Sequence, residues 1–266
     1  FNGVRFLLGS ISLIPLIIYS GGFSQNSRRE LKSAVLPGIA AGLILFAGAS
    51  LQQVGIIYTT AGKAAFVTGL YVVLVPLIGI FLRHSIGRST WLGCILAIAG
   101  LYMLCIKETM TLQYGDMLEL VGALFWAFHI LIIGYYSRRV DVLKLSSLQF
   151  LTCSVLSLVV AVITETIVWN DIIAAYVPIL YGGICSTGIA YTLQVVGQKY
   201  APPAHAAIIL SMETVFAAIG GFLLLEELMS GTEIIGCLLM LSGMLAAQIG
   251  SLRKAKDEAA RIQSSP

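Results

Sequence analysis

Glu213 stands in the stretch IILSMETVFAAIGGFLLL, where every neighbour is apolar or small. An ionisable group in hydrocarbon costs about 2.5–3.5 kcal/mol even on translocon scales, so Glu213 is expected to face protein or an aqueous cavity rather than lipid. A carboxylate held there can carry a proton or balance a cationic group on a bound solute. The alternative is a structural acid hydrogen-bonded to a neighbouring helix. Trp126 and His129 lie three residues apart, a spacing that gives them one helix face and makes them candidates for one wall of a cavity. His129 can shuttle protons near neutral pH, or serve as an ordinary interhelical hydrogen-bond partner, and Trp126 can be simple packing.

The remaining candidates emerge because the chain repeats itself. LQQVGIIYTTAGKAAFVTGLYVVLVPLIGIFL from Leu51 lies over LQVVGQKYAPPAHAAIILSMETVFAAIGGFLLL from Leu193, matching Leu51/Leu193, Gln52/Gln194, Gly55/Gly197, Tyr58/Tyr200, Ala64/Ala206 and Gly79/Gly221. One added residue later, WLGCILAIAG from Trp91 matches IIGCLLMLSG from Ile234, pairing Gly93/Gly236 and Gly100/Gly243. An odd number of membrane spans between the copies puts them in opposite orientations, the construction of many secondary transporters. Gln52 and Gln194 then suit a polar site on the pseudo-twofold axis. Tyr71 occupies the repeat position of Glu213 and is a candidate lining residue, with Tyr181 and Tyr191 as weaker ones. Lys63 lies over His205, near the starts of equivalent helices. By inversion these two mark opposite mouths of one pathway, unless Lys63 merely snorkels to headgroups.

The elements that must position these residues follow from composition. Hydrophobic residues make up 58% of the chain, charged residues 11%, and the mean hydropathy is +0.93, against about 25% charged residues in a soluble domain. Charge-free runs at 6–27, 33–62, 64–82, 89–106, 120–137, 145–164, 172–198 and 234–252, with a ninth between Lys199 and Glu226 interrupted by Glu213, approach the roughly 20 residues that cross a bilayer. The prediction is an all-α polytopic membrane protein with nine transmembrane helices, because these runs lack the alternation of a barrel. A five-span repeat leaves the first copy one helix short. An upstream helix, giving ten in the full-length protein, is the expectation, and an incomplete first repeat is the alternative.

Lys and Arg collect on alternate loops: Arg28, Arg29 and Lys32; Arg83 and Arg88; Arg138, Arg139 and Lys144; Lys199; then Arg253, Lys254, Lys256 and Arg261. The opposite loops hold Lys63 and Lys107, with Arg5 near that end of the first span, and collect Glu108, Asp116, Glu119, Glu165, Asp171, Glu226, Glu227 and Glu233. The positive-inside rule therefore predicts a cytoplasmic C-terminus in the cell (inner) membrane. Residues 253–266 read as a polar cytoplasmic tail.

GDMLELVGALFWAFHIL from Gly115 and ILYGGICSTGIAYTLQVVGQKYAPPAHAAIILSMETVFAAIGGFLLLEE from Ile179 resemble the second half of an EamA-type carrier of the drug/metabolite transporter superfamily, and TGLYVVLVPLIGIFL from Thr68 resembles its first-half counterpart. The resemblance implies inverted five-helix repeats, here 1–107 (lacking its first helix) and 115–252. It also implies both termini in the cytoplasm and export or exchange of small metabolites. The family pattern has Glu-Pro where this chain has Glu213-Thr214, which puts a proline kink there in question but keeps the carboxylate.

Other classes lack their parts. There is no GxxxxGK[ST], HExxH or GxSxG, so neither ATP-driven pumping nor common hydrolase chemistry is expected. The four Asp residues read as loop or tail residues, three histidines are scattered, and the five cysteines fall in apolar runs without CxxC spacing. No enzyme, cofactor or metal site is therefore expected. A net charge of +3 spread over loops gives no nucleic-acid face. The expected partners are a small metabolite, the lipid bilayer and protons. Gly38/Gly42 and the paired glycines at 93/100 and 236/243 provide close-contact faces that can join the two halves or form a homodimer seam, and Pro15, Pro76 and Pro178 can bend helices. A passive channel and a ligand-binding membrane sensor without transport are the competing readings. Linear flux would mark the first, binding without flux the second.

Overall fold

The computed structural model describes residues 1–21, 25–84, 86–105, 113–166, 168–224 and 230–263. Among these there is no strand, and nine helical segments are long and apolar enough to cross a membrane: Asn2–Ser20, Asn26–Gly55, Ala61–Phe81, Arg88–Cys105, Tyr114–Tyr136, Val142–Thr164, Tyr176–Tyr200, Pro203–Leu223 and Gly231–Ile249. Helix is the form that satisfies every backbone N–H and C=O within its own segment, which hydrocarbon requires. The helices are α1 (Asn2–Ser12), α2 (Ile14–Gly21), α3 (Gln25–Gly55), α4 (Ala61–Gly69), α5 (Tyr71–Phe81), α6 (Arg88–Cys105), α7 (Tyr114–Tyr136), α8 (Val142–Thr164), α9 (Trp169–Ala174) and α10 (Tyr176–Leu180). A π-helical stretch (Tyr181–Tyr191) follows, then α11 (Thr192–Tyr200), α12 (Pro203–Leu210), α13 (Met212–Leu224) and α14 (Gly231–Gln263).

Charges do not mark all the span ends. α7 begins at Tyr114, so Asp116, read from the sequence as a loop residue, lies in its first turn and is buried, and Glu119 lies inside the span. Lys144, also read as a loop cation, is in α8, only 4% exposed and paired with Glu30 of α3. Asp116 and Lys144 have internal partners that offset the penalty of leaving the surface, while Glu119 is partnered at one oxygen only. Lys107, Glu108, Glu226 and Glu227 lie outside the described residues.

The chain forms two units, residues 1–51 with 128–201 and residues 52–127 with 202–266, so α3 and α7 contribute to both. In the first, α1 and α8 run antiparallel: Ser154 donates to the Gly3 carbonyl at 2.7 Å and Ser10 to the Ser147 carbonyl at 3.0 Å. Hydroxyls bonded to backbone across a helix interface suit an apolar surround. Phe6, Phe150 and Tyr191 stack in a triangle with ring centroids 6.3–6.4 Å apart. Gly38 lies against Leu148 and Gly42 against Thr152, so the GxxxG face of α3 is used inside the chain, against α8. The π-helical stretch, where Thr187 donates to the Gly182 carbonyl at 2.8 Å, brings Gly183 and Thr187 against Gly9 of α1.

The second unit is built on α6 and α14. A β-carbon at Gly93 would lie 2.7 Å from the Gly243 carbonyl oxygen and one at Gly100 2.4 Å from that of Gly236; the reverse substitutions meet the Gly93 and Gly100 oxygens at 2.7 Å. The helices are therefore antiparallel and in backbone contact. The pairing is unchanged when each glycine is replaced by its repeat counterpart, since Gly93/Gly243 becomes Gly236/Gly100. Leu101, Leu104, Met212, Val215, Cys237 and Met240 form an apolar cluster beside this seam.

Candidate functional site

Three spans are interrupted at a single residue: the first at Leu13, just before Pro15 of α2, and two others near matching places in the repeat. α4 ends at Gly69 and α5 restarts at Tyr71, and the Leu70 N–H bonds the Val67 carbonyl at 3.2 Å instead of continuing the helical ladder. α12 ends at Leu210 and α13 restarts at Met212. The proline in α5, Pro76, lies beyond the break at Leu70, and the break at Ser211 has no proline at all. There the hydroxyls do the work: Ser211 donates to the Ile208 carbonyl at 2.7 Å and Thr214 to the Ser211 carbonyl at 2.9 Å, while the Thr214 N–H reaches the same carbonyl at 3.3 Å. Ser and Thr hydroxyls that bond back to the preceding turn bend helices and satisfy the carbonyls a break sets free. Thr214 thus occupies a break that forms without the family's proline.

Glu213 is the second residue after its break, and its repeat counterpart Tyr71 is the first after the other. Tyr71 is buried. Glu213 is exposed on the surface of its unit. α5 packs against α12, so these two broken spans meet within the second unit.

The other candidates divide by environment. Lys63 opens α4, where Thr60 caps the helix by accepting from the Lys63 N–H at 3.4 Å; the side chain is 7% exposed and so is buried in protein rather than extended to headgroups. His205 donates from Nε2 to the Ala247 carbonyl of α14 at 3.0 Å, a structural tie. His129 is fully buried in the first unit with Nε2 2.9 Å from Gln149 Oε1 of α8, an interhelical hydrogen bond. Trp126, on the same helix as His129, is half-buried, as are Gln52 near the end of α3 and Gln194 on α11. Tyr191 belongs to the aromatic triangle and Tyr181 is exposed.

Sequence reasoning missed the group beside them. Glu119 has no exposed surface and accepts from Thr68 of α4 at 2.7 Å, and Asp116 accepts from Thr59 and from the Gln113 N–H at 2.8 Å. The usable signal was the i, i+3 spacing of the two acids, which gives them one helix face.

Because the break around Ser211 already costs α13 its regular first-turn bonding, Thr214→Pro, which restores the family's Glu-Pro, is expected to change stability by less than about 1 kcal/mol, far below the roughly 3 kcal/mol of proline in a helix interior. Thermal unfolding of the purified variant checks this. A loss comparable to an interior proline would show that the Thr214 N–H carries more than its 3.3 Å bond suggests.

The EamA-like transporter family model matches residues 1–106 and 113–247. An uncharacterized transporter of Archaeoglobus fulgidus is 32% identical over 95% of this chain and 76% of its own length. The uncharacterized transporter YoaV of Bacillus subtilis is 21% identical over 92% of this chain and 85% of its own length. A solved crystal structure at 18% identity superposes with a TM-score of 0.80, covering 95% of this chain and 87% of that one, and so shares the fold. With the family model matching nearly the whole of a chain that carries nine candidate spans, this multi-pass membrane protein belongs to the EamA-like transporter family and is a transporter rather than an enzyme.

Proposed function

We propose that this protein is a secondary carrier that exports or exchanges small metabolites across the cell membrane by alternating access, driven by a proton gradient, with its C-terminus in the cytoplasm. The observation that carries the reading is the pair of spans interrupted within one residue of matching places in the repeat, at Leu70 just before Tyr71 and at Ser211 two residues before Glu213. Discontinuous helices at the meeting of inverted repeats free backbone groups and place polar side chains at mid-membrane, where carriers bind their solutes. The antiparallel, counterpart-preserving seam of α6 and α14 supports repeats 1–107 and 115–252 as an inverted pair.

In this reading Glu213 faces the solute and balances a cationic group on it. A small amphipathic or zwitterionic compound with an amine fits a single accessible carboxylate better than a polyanion does. Gln52, Tyr71 and Trp126 of the same unit complete the polar and aromatic lining, whereas His129 and His205 hold helices together. Lysines and arginines on the loops and tail that share a face with the C-terminus support the orientation. Solute counterflow in proteoliposomes tests the proposal: saturable exchange of a metabolite supports it, and binding without exchange removes it.

A further inference from the structure

Glu119 and Asp116 sit one turn apart on α7 but are satisfied very differently. Both oxygens of Asp116 are occupied, Oδ1 by the Thr59 hydroxyl and Oδ2 by the Gln113 N–H, as befits an acid near a helix start. Glu119 lies deeper, roughly 7 Å along the helix from Tyr114. Its side chain is wholly buried, Oε2 accepts the Thr68 hydroxyl at 2.7 Å, and Oε1 has no hydrogen-bond partner among the described residues. The carboxyl is pressed onto the end of α3, where a β-carbon at Gly55 would come within 2.7 Å of Oε1. Gly115 in turn lets α7 approach the Gly55 carbonyl. The glycines thus make room for one acid at a dry junction of α3, α4 and α7. Along the turns of these elements that adjoin Glu119, the titratable groups are Asp116 and Tyr114 on α7, Lys63 on α4 and Tyr58 just after α3.

We propose that Glu119 is a proton-binding site, with Oε1 taking up a proton while the junction of α3, α4 and α7 is closed and releasing it to water when that junction opens. A buried carboxylate with a single neutral hydrogen bond is costly, and a proton cancels the charge while needing no cage of ligands and almost no space. Without its proton the carboxylate demands hydration, which the closed contact with Gly55 excludes. The protonation state and the opening of the junction are therefore linked, and each biases the other by the same free energy. No electrons move: a water-borne proton joins Oε1 and later leaves to water. Resting on the carrier reading, this places the coupling proton at Glu119 and leaves Glu213 to the solute.

Infrared difference spectroscopy of the purified protein, titrated from acid to alkaline pH, reads the site directly. The wild type is expected to show a protonated-carboxyl C=O band that titrates, is lost in Glu119→Gln, persists in Glu213→Gln and shifts in frequency in Thr68→Val. Identical difference spectra for the wild type and Glu119→Gln would overturn the proposal. In proteoliposomes Glu119→Gln is expected to keep solute exchange at zero gradient and lose acceleration by a pH gradient. Undiminished acceleration in that variant would also overturn it. A wild type that exchanges no solute at all would instead refute the carrier reading, and the infrared result would still decide the proton site.

Discussion

Glu213→Gln is expected to lower solute exchange by roughly 10-fold or more, with Glu213→Asp recovering part of the loss. The change keeps size and hydrogen-bonding capacity but removes the charge, and a hydrogen bond to a charged group is worth about 1.5–3 kcal/mol, or roughly 10- to 150-fold in affinity. The loss should fall on the solute's apparent affinity and on exchange at zero gradient alike, because Glu213 is assigned to solute binding. That separates it from Glu119, whose replacement spares exchange. Among the described residues the side chain belongs to no hydrogen-bond network that its loss would collapse: the hydroxyl bonds at the break before it are made by Ser211 and Thr214. Counterflow in reconstituted vesicles is the measurement, and exchange at the wild-type rate and affinity would remove Glu213 from the site.

The second large effect belongs to the glycine seam. At Gly100 even a methyl group would lie 2.4 Å from the Gly236 carbonyl oxygen and 2.8 Å from the Met240 nitrogen. Both are backbone atoms, so the collision cannot be relieved by a rotamer change and α6 must part from α14. Overpacking of this kind costs about 1–3 kcal/mol for a small excess and more for a large one. Gly100→Ala should therefore lower the melting temperature measurably, and Gly100→Leu should prevent recovery of monodisperse protein. Gly220→Ala is the matched control. It has nothing within 4 Å of the added carbon and should be neutral or slightly stabilising, since alanine is the better helix former by about 1 kcal/mol. Equal melting behaviour of Gly100→Ala and Gly220→Ala would show that the seam is not a tight contact.

How much of this was legible in the sequence depends on whether a residue's cost is visible without its partner. The nine spans were, because unpaired charge is excluded from hydrocarbon and the charge-free runs report that exclusion directly. The glycine positions were visible through the repeat, but not that Gly93 meets Gly243 and Gly100 meets Gly236, since spacing gives a face and no address for it. The start of α7 was misplaced because Asp116 is held by Thr59 and the Gln113 N–H and Glu119 at one oxygen by Thr68, and composition records a charge without its hydrogen bonds. Lys144 was misplaced for the same reason, its partner Glu30 lying far away in the chain. Proline was the expected sign of a bend. The interruption at Leu13 does lie just before Pro15, but those at Leu70 and at Ser211 form away from proline, the latter through hydroxyl bonds to carbonyls that many helical serines and threonines never make. The π-helical stretch at Tyr181–Tyr191 likewise had glycines as its one hint.

Solute counterflow in proteoliposomes of the full-length protein decides whether this EamA-family protein is a gradient-driven carrier. A metabolite mixture would be read by mass spectrometry, with and without an imposed pH gradient. Saturable exchange of a small amine-bearing solute, accelerated by the gradient, is expected of a carrier. Flux that rises linearly without saturation, or binding with no exchange, would contradict the carrier reading.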